Sequence, residues 1–210
     1  MTMNDATIPA VAPTIPALLF SAARHHATRT ALEEPGRRIG YAELPDQALA
    51  VTRALIAHGI QPGDKVAIWA PNCIDWVLAA LGIHCAGAVM VPINTRMKGA
   101  EAADILARSH ARLLFCVGTF LGTDYPALLA PVRPACVEKI VLLGDGGSTA
   151  PCCQPWADFL AGGSAVSLAQ ARARAEAVRP DDIADLMFTS GTTGKPKGVM
   201  SAHAPTLRAF

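Results

Sequence analysis

The sequence has few aromatic residues, almost no excess charge of either sign, and no hydrophobic run long enough to span a membrane. Aromatic residues make up 5% of the 210-residue chain, and 18 lysines and arginines face 17 aspartates and glutamates. A net charge of +1 does not supply the basic surface that nucleic-acid binding needs. The most apolar window, residues 76–92, contains His84 and is shorter than the roughly 20 residues of a membrane helix. We therefore expect neither a nucleic-acid partner nor an integral membrane span.

A secretory signal and a cysteine framework are also missing. The first 20 residues contain Asp5 and several prolines but no basic residue, whereas a signal peptide begins with a basic region. The six cysteines include no CxxC pair, and most stand in apolar segments, where cysteine acts as a small hydrophobic residue. The adjacent Cys152 and Cys153 leave a metal or redox role open, although zinc sites usually use spaced pairs with histidine. The pattern favours a reduced, cytoplasmic protein without a metal site.

The order of apolar segments predicts an α/β fold. Apolar spacing indicates helices over residues 15–28 and 42–58, with a hairpin at Pro35-Gly36 between them. Further helices are expected over 71–85 and 100–109, and a solvated surface helix over 169–178. Short apolar runs that are typical of buried strands cover residues 65–70, 88–93, 112–117, 139–143 and 183–188. Strands that alternate with helices predict a mostly parallel sheet with flanking helices, which binds ligands beyond the carboxyl ends of its strands.

The last predicted strand runs directly into TSGTTGKPKG, residues 189–198, which carries the clearest chemical signal. Its glycines allow close backbone approach to a ligand, its hydroxyls are neutral donors, and its lysines are positively charged. Backbone amides in such a loop form an anion-binding site, and a polyphosphate would use all these groups together. The candidate site residues are Thr189, Ser190, Gly191, Thr192, Thr193, Gly194, Lys195, Lys197 and Gly198.

This loop differs from a Walker A motif. Only two residues separate Gly191 from Gly194, and Pro196 follows Lys195 where Walker A has the serine or threonine that binds magnesium. A flexible surface loop rich in glycine and threonine is the alternative, but two lysines at the end of a strand make it the weaker interpretation. The segment therefore indicates a phosphate loop of another kind.

The segment TSGTTGKPKGV resembles the phosphate-loop signature of the adenylate-forming enzymes. Upstream, YAEL at 41–44, GDKVA at 63–67 and LGIHCAGAVMVPIN at 81–94 are similar to further motifs of that superfamily, and Arg96 follows as it often does there. Together with IWAPN at 68–72 and residues 101–106, they look closest to bacterial acyl-CoA ligases of steroid-ring propionates or fatty acids. The resemblance implies the large domain of an α/β adenylate-forming enzyme.

The resemblance also implies a two-step reaction. A small-molecule carboxylate attacks the α-phosphate of ATP, which gives an acyl-adenylate and pyrophosphate, and coenzyme A then displaces AMP to give a thioester. Mg²⁺ would accompany ATP. In this chain the loop would hold the β- and γ-phosphates, Lys197 would neutralise the leaving pyrophosphate, and Thr192 and Thr193 would donate hydrogen bonds to it. Lys195 would have a solvated or steering role.

The family's other working residues lie downstream of such a loop, so the catalytic residues stay unknown. We expect residues 1–210 to be part of the N-terminal AMP-binding domain, ending shortly after the phosphate loop, with the C-terminal domain absent. Two alternatives stay open: an adenylation enzyme that delivers its product to a carrier protein, and a non-enzymatic remnant. The sequence does not indicate an oligomeric state or the acyl substrate.

The remaining titratable residues favour structural roles. His203 stands five residues after Gly198, where family members often have a histidine, and we expect a helix start near the surface. His84 lies in an apolar helix and is expected to be a hydrogen-bonded core residue. The acidic pairs at 33–34 and 181–182 stand in polar, turn-like segments, which indicates solvated surface charge.

Overall fold

The structure is a computed structural model that describes residues 12–144, 146–151, 153–189 and 196–209. The helices are α1 (Ile15–His25), α2 (Leu44–Ala57), α3 (Ile74–Cys85), α4 (Gly99–Ser109), α5 (Tyr125–Leu129), α6 (Trp156–Gly162), α7 (Leu168–Glu176) and α8 (His203–Arg208). The strands are β1 (Thr30–Glu34), β2 (Arg37–Gly40), β3 (Lys65–Trp69), β4 (Val89–Pro92), β5 (Leu113–Val117), β6 (Thr119–Phe120), β7 (Thr123–Asp124), β8 (Lys139–Leu143), β9 (Cys153–Pro155), β10 (Ile183–Thr189) and β11 (Lys197–Ala202).

A seven-stranded sheet forms the centre of the fold, in the order β11-β10-β4-β3-β5-β8-β9. Its strands pair in parallel, except that β11 runs antiparallel to β10 at one edge. The α/β prediction is therefore confirmed. The five strands predicted from short apolar runs are β3, β4, β5, β8 and β10. The adjacent strands β3, β5 and β8 are buried along most of their length, as strands covered by helices on both faces should be.

Successive side chains of β3 enter two separate cores, which places the helices on opposite faces of the sheet. Val66 and Ile68 pack into the core that α1, α2, α3, α6 and α7 cover. Ala67 and Trp69 pack into a second core beneath α4 and α5. Alternation along a strand sends neighbouring residues to opposite faces, so one short apolar run serves both cores.

The packing of α2 against α3 depends on a glycine. A Cβ atom at Gly82 would lie 2.5 Å from Cβ and Cγ1 of Val51, which is fully buried. The hydroxyl of Thr52 donates to the carbonyl of Gly82 across the same contact, at 3.1 Å. The glycine therefore lets the two helix backbones approach more closely than any side chain would permit.

The helix boundaries follow from local capping groups, although α2 and α3 begin two and three residues later than predicted, at Leu44 and Ile74. Thr14 caps α1 by accepting a hydrogen bond from Ala17 N, and the Sγ atom of Cys73 accepts from Trp76 N at the start of α3. Gly36 and Gly59 have φ angles of +78° and +77°, which fit the predicted hairpin turn and the predicted end of α2. Helix α1 ends at His25, three residues earlier than its apolar spacing predicts.

The prediction that residues 169–178 form a solvated surface helix is wrong for one face of α7. Ala171 and Ala175 are buried in the larger core, and the Arg172 guanidinium lies 4.0 Å from the centroid of the Phe20 ring. Alanine and the aliphatic part of arginine both pack well against apolar surface, so an Ala/Arg-rich sequence does not by itself indicate a solvated helix.

The amino ends of β3, β5 and β8 are joined by an arginine-centred cluster. Arg112 Nη1 donates to Asp64 Oδ2 at 2.6 Å and to the carbonyl of Gly59 at 3.0 Å. Arg112 Nε and Nη2 donate to the two carboxylate oxygens of Glu138 at 2.8 and 3.0 Å. Hydrogen bonding to Arg112 lowers the pKa of Glu138. Asp64, part of the GDKVA segment, therefore has a structural contact at the amino ends of the strands. The candidate loop follows the carboxyl end of β10, at the opposite end of the sheet.

Replacing Arg112 with alanine is expected to lower the free energy of unfolding by about 1–2 kcal/mol, because its loss leaves two carboxylates without their charged partner. Urea denaturation measures the change. Arg38→Ala is the matched control, since Arg38 pairs with Glu33 on the exposed hairpin, where solvent screens the ion pair. Equal effects of the two variants would show that the cluster adds nothing beyond an ordinary surface pair.

The helices that the structure describes include none long and apolar enough to cross a membrane.

Candidate functional site

A cleft of about 600 Å³ opens beyond the carboxyl ends of β3, β4 and β10. This is the edge of a parallel sheet at which α/β proteins bind their ligands. The residues that line the cleft are Ala70, Pro71, Asn72, Trp76, Pro92, Ile93, Asn94, Thr95, Met97, Met187, Phe188 and Thr189. Thr189, the first residue of the candidate loop, is therefore part of the cleft wall.

The structure describes three of the nine candidate site residues, and it places them in a hairpin. Thr189 is the last residue of β10, Lys197 and Gly198 begin β11, and Thr189 pairs with Lys197 across the two strands. The other six candidates, Ser190, Gly191, Thr192, Thr193, Gly194 and Lys195, lie outside the described residues. Lys197 is exposed, and strand pairing places it opposite Thr189, which lines the cleft.

The expectation that Gly198 lets the backbone approach a ligand stays a prediction, but the structure also shows a packing reason for this glycine. Gly198 lies in strand β11 opposite Phe188. A Cβ atom there would lie 3.1 Å from Leu186 Cδ1 and 3.5 Å from the Phe188 ring. The glycine therefore accommodates side chains of the neighbouring strand. The Phe188 ring also contacts the Arg108 guanidinium, 5.0 Å from its centroid, which joins β10 to α4.

The cleft wall at the end of β4 is held in place by two buried aromatic residues. Trp69 Nε1 donates to the carbonyl of Asn94 at 3.1 Å, and Tyr125 Oη donates to the carbonyl of Thr95 at 2.8 Å. The two rings meet edge to face, with centroids 4.8 Å apart. Asn94 Oδ1 in turn accepts from the backbone N–H of Arg96 at 2.9 Å. The motif at 81–94 predicts this segment but not the side chains of Trp69 and Tyr125 that support it, because these come from β3 and α5.

The carboxylate of Asp124 connects the loop after β8 to the start of α5, on the side of the sheet where the strands have their carboxyl ends. Its carboxylate accepts hydrogen bonds from the backbone N–H of Ala127, from Ser148 Oγ, and from both the backbone N–H and the hydroxyl of Thr149, at 2.7–3.0 Å. Partial burial raises the pKa of Asp124, but these hydrogen bonds outweigh it and lower the pKa to about 2.

The carboxylate of Asp124 is expected to stabilise the protein above pH 4 and to lose that effect as the pH falls from about 4 to about 2. The sign follows from a folded-state pKa below the ordinary value of 3.8, which favours the folded protein wherever the carboxyl is ionised. Urea denaturation of the chain and of Asp124→Asn should therefore differ at pH 5 and converge near pH 2. A difference that is independent of pH would contradict this account; Asp46→Asn, at an exposed position, is the control.

The two acidic pairs have structural contacts rather than a common site. Glu33 pairs with Arg38 on the exposed hairpin, and Glu34 Oε2 accepts from the backbone N–H of Ile74 at 3.0 Å. Asp182 Oδ2 accepts from the backbone N–H of Arg179 at 2.8 Å. Glu34 therefore differs from the expected solvated charge, because it binds the first turn of α3.

The expectations for the two histidines need correction. His203 begins α8 as expected, but it is 1% exposed rather than near the surface. His84 is a core residue, 4% exposed, but its Nδ1 atom has no hydrogen-bond partner among the described residues. Both rings lie beneath the hairpin, with centroids 5.5 Å apart. A periodic apolar pattern cannot predict this contact, because it joins residues 119 positions apart.

The described cysteines do not indicate a metal site. Cys85 and Cys116 are buried, and burial raises the pKa of both thiols, that of Cys85 to about 12. Cys152 lies outside the described residues. Within the described ranges, no group of three histidine, cysteine, aspartate or glutamate side chains could hold a metal ion. The described residues thus provide no three-ligand metal site of their own.

Several known proteins are similar to this chain in sequence and in fold. A family model described as AMP-binding enzyme matches residues 19–210. The 3-[(3aS,4S,7aS)-7a-methyl-1,5-dioxo-octahydro-1H-inden-4-yl]propanoyl:CoA ligase of Rhodococcus jostii is 46% identical over 90% of this chain, and that of Mycobacterium tuberculosis is 44% identical over 93%. The crystal structure of the anthranilate CoA ligase AuaEII with anthranoyl-AMP superposes on 91% of the chain with a TM-score of 0.76 and 29% identity.

The chain spans 38% of the length of the two propanoyl:CoA ligases and 35% of the anthranilate CoA ligase. Within that span the match covers both cores, the cleft and the hairpin, since the family model extends from α1 to the end of the chain. The resemblance inferred from the motifs is thereby confirmed: the chain belongs to the AMP-binding enzyme family.

Proposed function

We propose that this chain supplies the phosphate-binding part of an ATP-dependent acyl-CoA ligase. A carboxylate attacks the α-phosphate of ATP to give an acyl-adenylate and pyrophosphate, and the thiol of coenzyme A then forms the thioester and releases AMP. The observation that carries this proposal is the pairing of Thr189 with Lys197 at the entrance of the cleft, in a chain 46% identical to a propanoyl:CoA ligase.

The hairpin would bind the β- and γ-phosphates of ATP. Lys197 would neutralise the charge that develops on the leaving pyrophosphate, while the hydroxyls of Thr192 and Thr193 would donate hydrogen bonds to it. Lys195 would steer the nucleotide towards the cleft. These are positioning and electrostatic roles, which dominate catalysis in phosphoryl chemistry.

The remaining candidates would shape the same site. Thr189 lines the cleft directly, and Ser190, Gly191 and Gly194 would bring backbone N–H groups to the phosphates. Gly198 would keep β11 close to β10, which holds Lys197 at the entrance. Mg²⁺ would bind with the phosphates of ATP, as it usually does in nucleotide-dependent enzymes.

Nucleotide binding by the 210-residue chain tests this function. We expect titration calorimetry to detect ATP and inorganic pyrophosphate, whereas carboxylate-dependent ATP–pyrophosphate exchange should stay near background. The domain assignment behind this expectation is part of the proposal: residues 1–210 correspond to part of the N-terminal AMP-binding domain. Failure to bind both ligands would refute the phosphate site, and robust exchange would refute the assignment of catalytic residues to another part of the ligase.

The acceptor and the acid can be identified in a ligase that contains this chain. The relatives named above lead us to propose coenzyme A as acceptor and an acid with a propanoate side chain on a bicyclic ring as substrate. Mass spectrometry of reactions with ATP, coenzyme A and either this acid or a long-chain fatty acid distinguishes the two substrate classes. Acyl-adenylate that accumulates in the presence of coenzyme A, without thioester, would favour transfer to a carrier protein.

A further inference from the structure

A buried polar cluster lies beneath the hairpin, outside the cleft. It consists of His84 on α3, Asp185 on β10 and His203 on α8, which are 4%, 7% and 1% exposed. Buried polar atoms are nearly always hydrogen-bonded. Here, however, His84 Nδ1, Asp185 Oδ1 and His203 Nε2 have no hydrogen-bond partner among the described residues. Three such atoms in one cluster require a physical explanation.

The contacts of the cluster connect α1 to β10 through His203 and His84. The backbone N–H of Ile15 donates to His203 Nδ1 at 3.4 Å. The rings of His203 and His84 meet nearly at right angles, with centroids 5.5 Å apart. His84 Nε2 then lies 3.7 Å from Asp185 Oδ1. A shift of a few tenths of an ångström would bring the last pair within hydrogen-bond distance.

The tautomers that these contacts imply are complementary. Because His203 Nδ1 accepts from Ile15, a neutral His203 carries its proton on Nε2, which is then a donor. If His84 is protonated on Nε2, which faces Asp185, its Nδ1 is an acceptor. In these tautomers the three unpartnered atoms would complete one series, in which His203 Nε2–H would donate to His84 Nδ1 and His84 Nε2–H would donate to Asp185 Oδ1.

We propose that His203, His84 and Asp185 form a hydrogen-bond chain that positions the phosphate-binding hairpin, and that protonation of Asp185 on Oδ1, the oxygen that faces His84, breaks this chain. The three are positioning residues, and their role in nucleotide binding rests on the function proposed above. Asp185 lies in β10, four residues before Thr189, and His203 directly follows β11. The chain therefore ties both strands of the hairpin to α3 and α1.

Protonation of Asp185 reverses the last hydrogen bond. When the cluster gains one proton from solvent on Asp185 Oδ1, that oxygen becomes a donor to His84 Nε2, and the proton of His84 moves by exchange to Nδ1. His84 Nδ1–H then faces His203 Nε2–H, so that two donors oppose each other and the chain cannot close. Desolvation raises the pKa of Asp185 to about 6. Desolvation, followed by His203, lowers the pKa of His84 to about 3, so Asp185 is protonated first.

A charged group, Asp182, lies next to the cluster. Asp182, just before β10, acts on His203 and partly offsets the lowering of the His203 pKa by burial. The residues opposite Asp185 on the neighbouring strands, Met90 and Ser201, are uncharged, and α1 contributes the backbone N–H of Ile15. Asp185 is thus the group whose ionisation decides the direction of the chain near pH 6.

ATP affinity at two pH values separates this role from simple packing. In Asp185→Asn the amide oxygen can still accept from His84 but cannot be protonated. Wild-type and variant should bind ATP equally at pH 7.5. At pH 5.5 about a quarter of Asp185 is ionised if its pKa is 6, so the wild-type should bind roughly fourfold more weakly than the variant. The titration of ATP itself cancels in this ratio, and Asp46→Asn controls for the lost charge at an exposed position.

A ratio of wild-type to variant affinity that is the same at both pH values would overturn the proposal. Histidine ¹⁵N spectra of the 210-residue chain supply a second measurement that needs no nucleotide. His84 and His203 should both be Nε2–H tautomers at pH 7.5, and His84 alone should change to Nδ1–H by pH 5. If His84 is still the Nε2–H tautomer at pH 5, the proposed hydrogen-bond chain would also be overturned. If neither the wild-type nor Asp185→Asn binds ATP at pH 7.5, the phosphate site is refuted instead. The histidine spectra would still show whether the hydrogen-bond chain exists.

Discussion

Lys197→Ala is expected to weaken ATP binding by the 210-residue chain by roughly 10- to 100-fold. The lysine is exposed at the start of β11 and pairs with Thr189, which lines the cleft, so its ammonium group is close to where phosphates would bind. A charge-assisted hydrogen bond to a phosphate contributes about 1.5–3 kcal/mol, which corresponds to this range of affinities. Titration calorimetry with ATP and with inorganic pyrophosphate measures the loss.

The control for this experiment is Lys139→Ala. Lys139 begins β8 and therefore lies at the amino edge of the sheet, opposite the cleft, so its loss changes the net charge equally without touching the site. We expect its ATP affinity to stay within about twofold of wild-type. If both variants lose affinity equally, the lysine at 197 acts through general electrostatics, and the assignment of the hairpin as the phosphate site fails.

Trp69→Ala is expected to destabilise the fold by about 3–5 kcal/mol, a large part of the total stability of a typical domain. Trp69 has no exposed surface, and it is among the largest side chains of the core beneath α4 and α5. Its removal would leave a cavity between the sheet and Tyr125, whose ring it contacts edge to face. Urea denaturation followed by circular dichroism measures the change.

Trp69→Phe separates packing from hydrogen bonding at the same position. Phenylalanine keeps most of the buried aromatic surface but cannot donate to the carbonyl of Asn94. We expect it to restore more than half of the stability that alanine loses, while hydrogen exchange in residues 94–97, at the cleft wall, becomes faster than in wild-type. If phenylalanine is as destabilising as alanine, the hydrogen bond to Asn94 is the main contribution, and the packing argument is wrong.

Much of the fold could be predicted because it depends on local patterns. The apolar runs of β3, β5 and β8 are buried on both faces, so their composition alone distinguishes them from half-exposed strands. Gly36 and Gly59 end their elements through positive φ angles, which glycine adopts with little strain. Elements with weak local signals were not predicted: β6 and β7 have two residues each, and β9 has three.

The candidate site could likewise be predicted only in part from the sequence. The residue types of 189–198 indicate phosphate chemistry wherever they lie in the fold, because glycine, hydroxyl and lysine act through their own groups. That Lys197 and Gly198 belong to an edge strand depends on pairing with β10, and composition does not reveal that pairing. The helix over 169–178 was misinterpreted for a related reason, since the burial of Ala171 depends on a core that the segment does not contain.

The sequence by itself determined the family, the α/β class and the chemical character of the loop, because motifs and apolar periodicity are properties of contiguous residues. Only the tertiary structure decided which side chains meet. It brings Trp69 and Tyr125 to the cleft wall, and it places His84 beside Asp185 and His203 under the hairpin. Such contacts join residues that are distant in the chain, and the energy of a buried charge or an unpaired donor depends on that assembled environment.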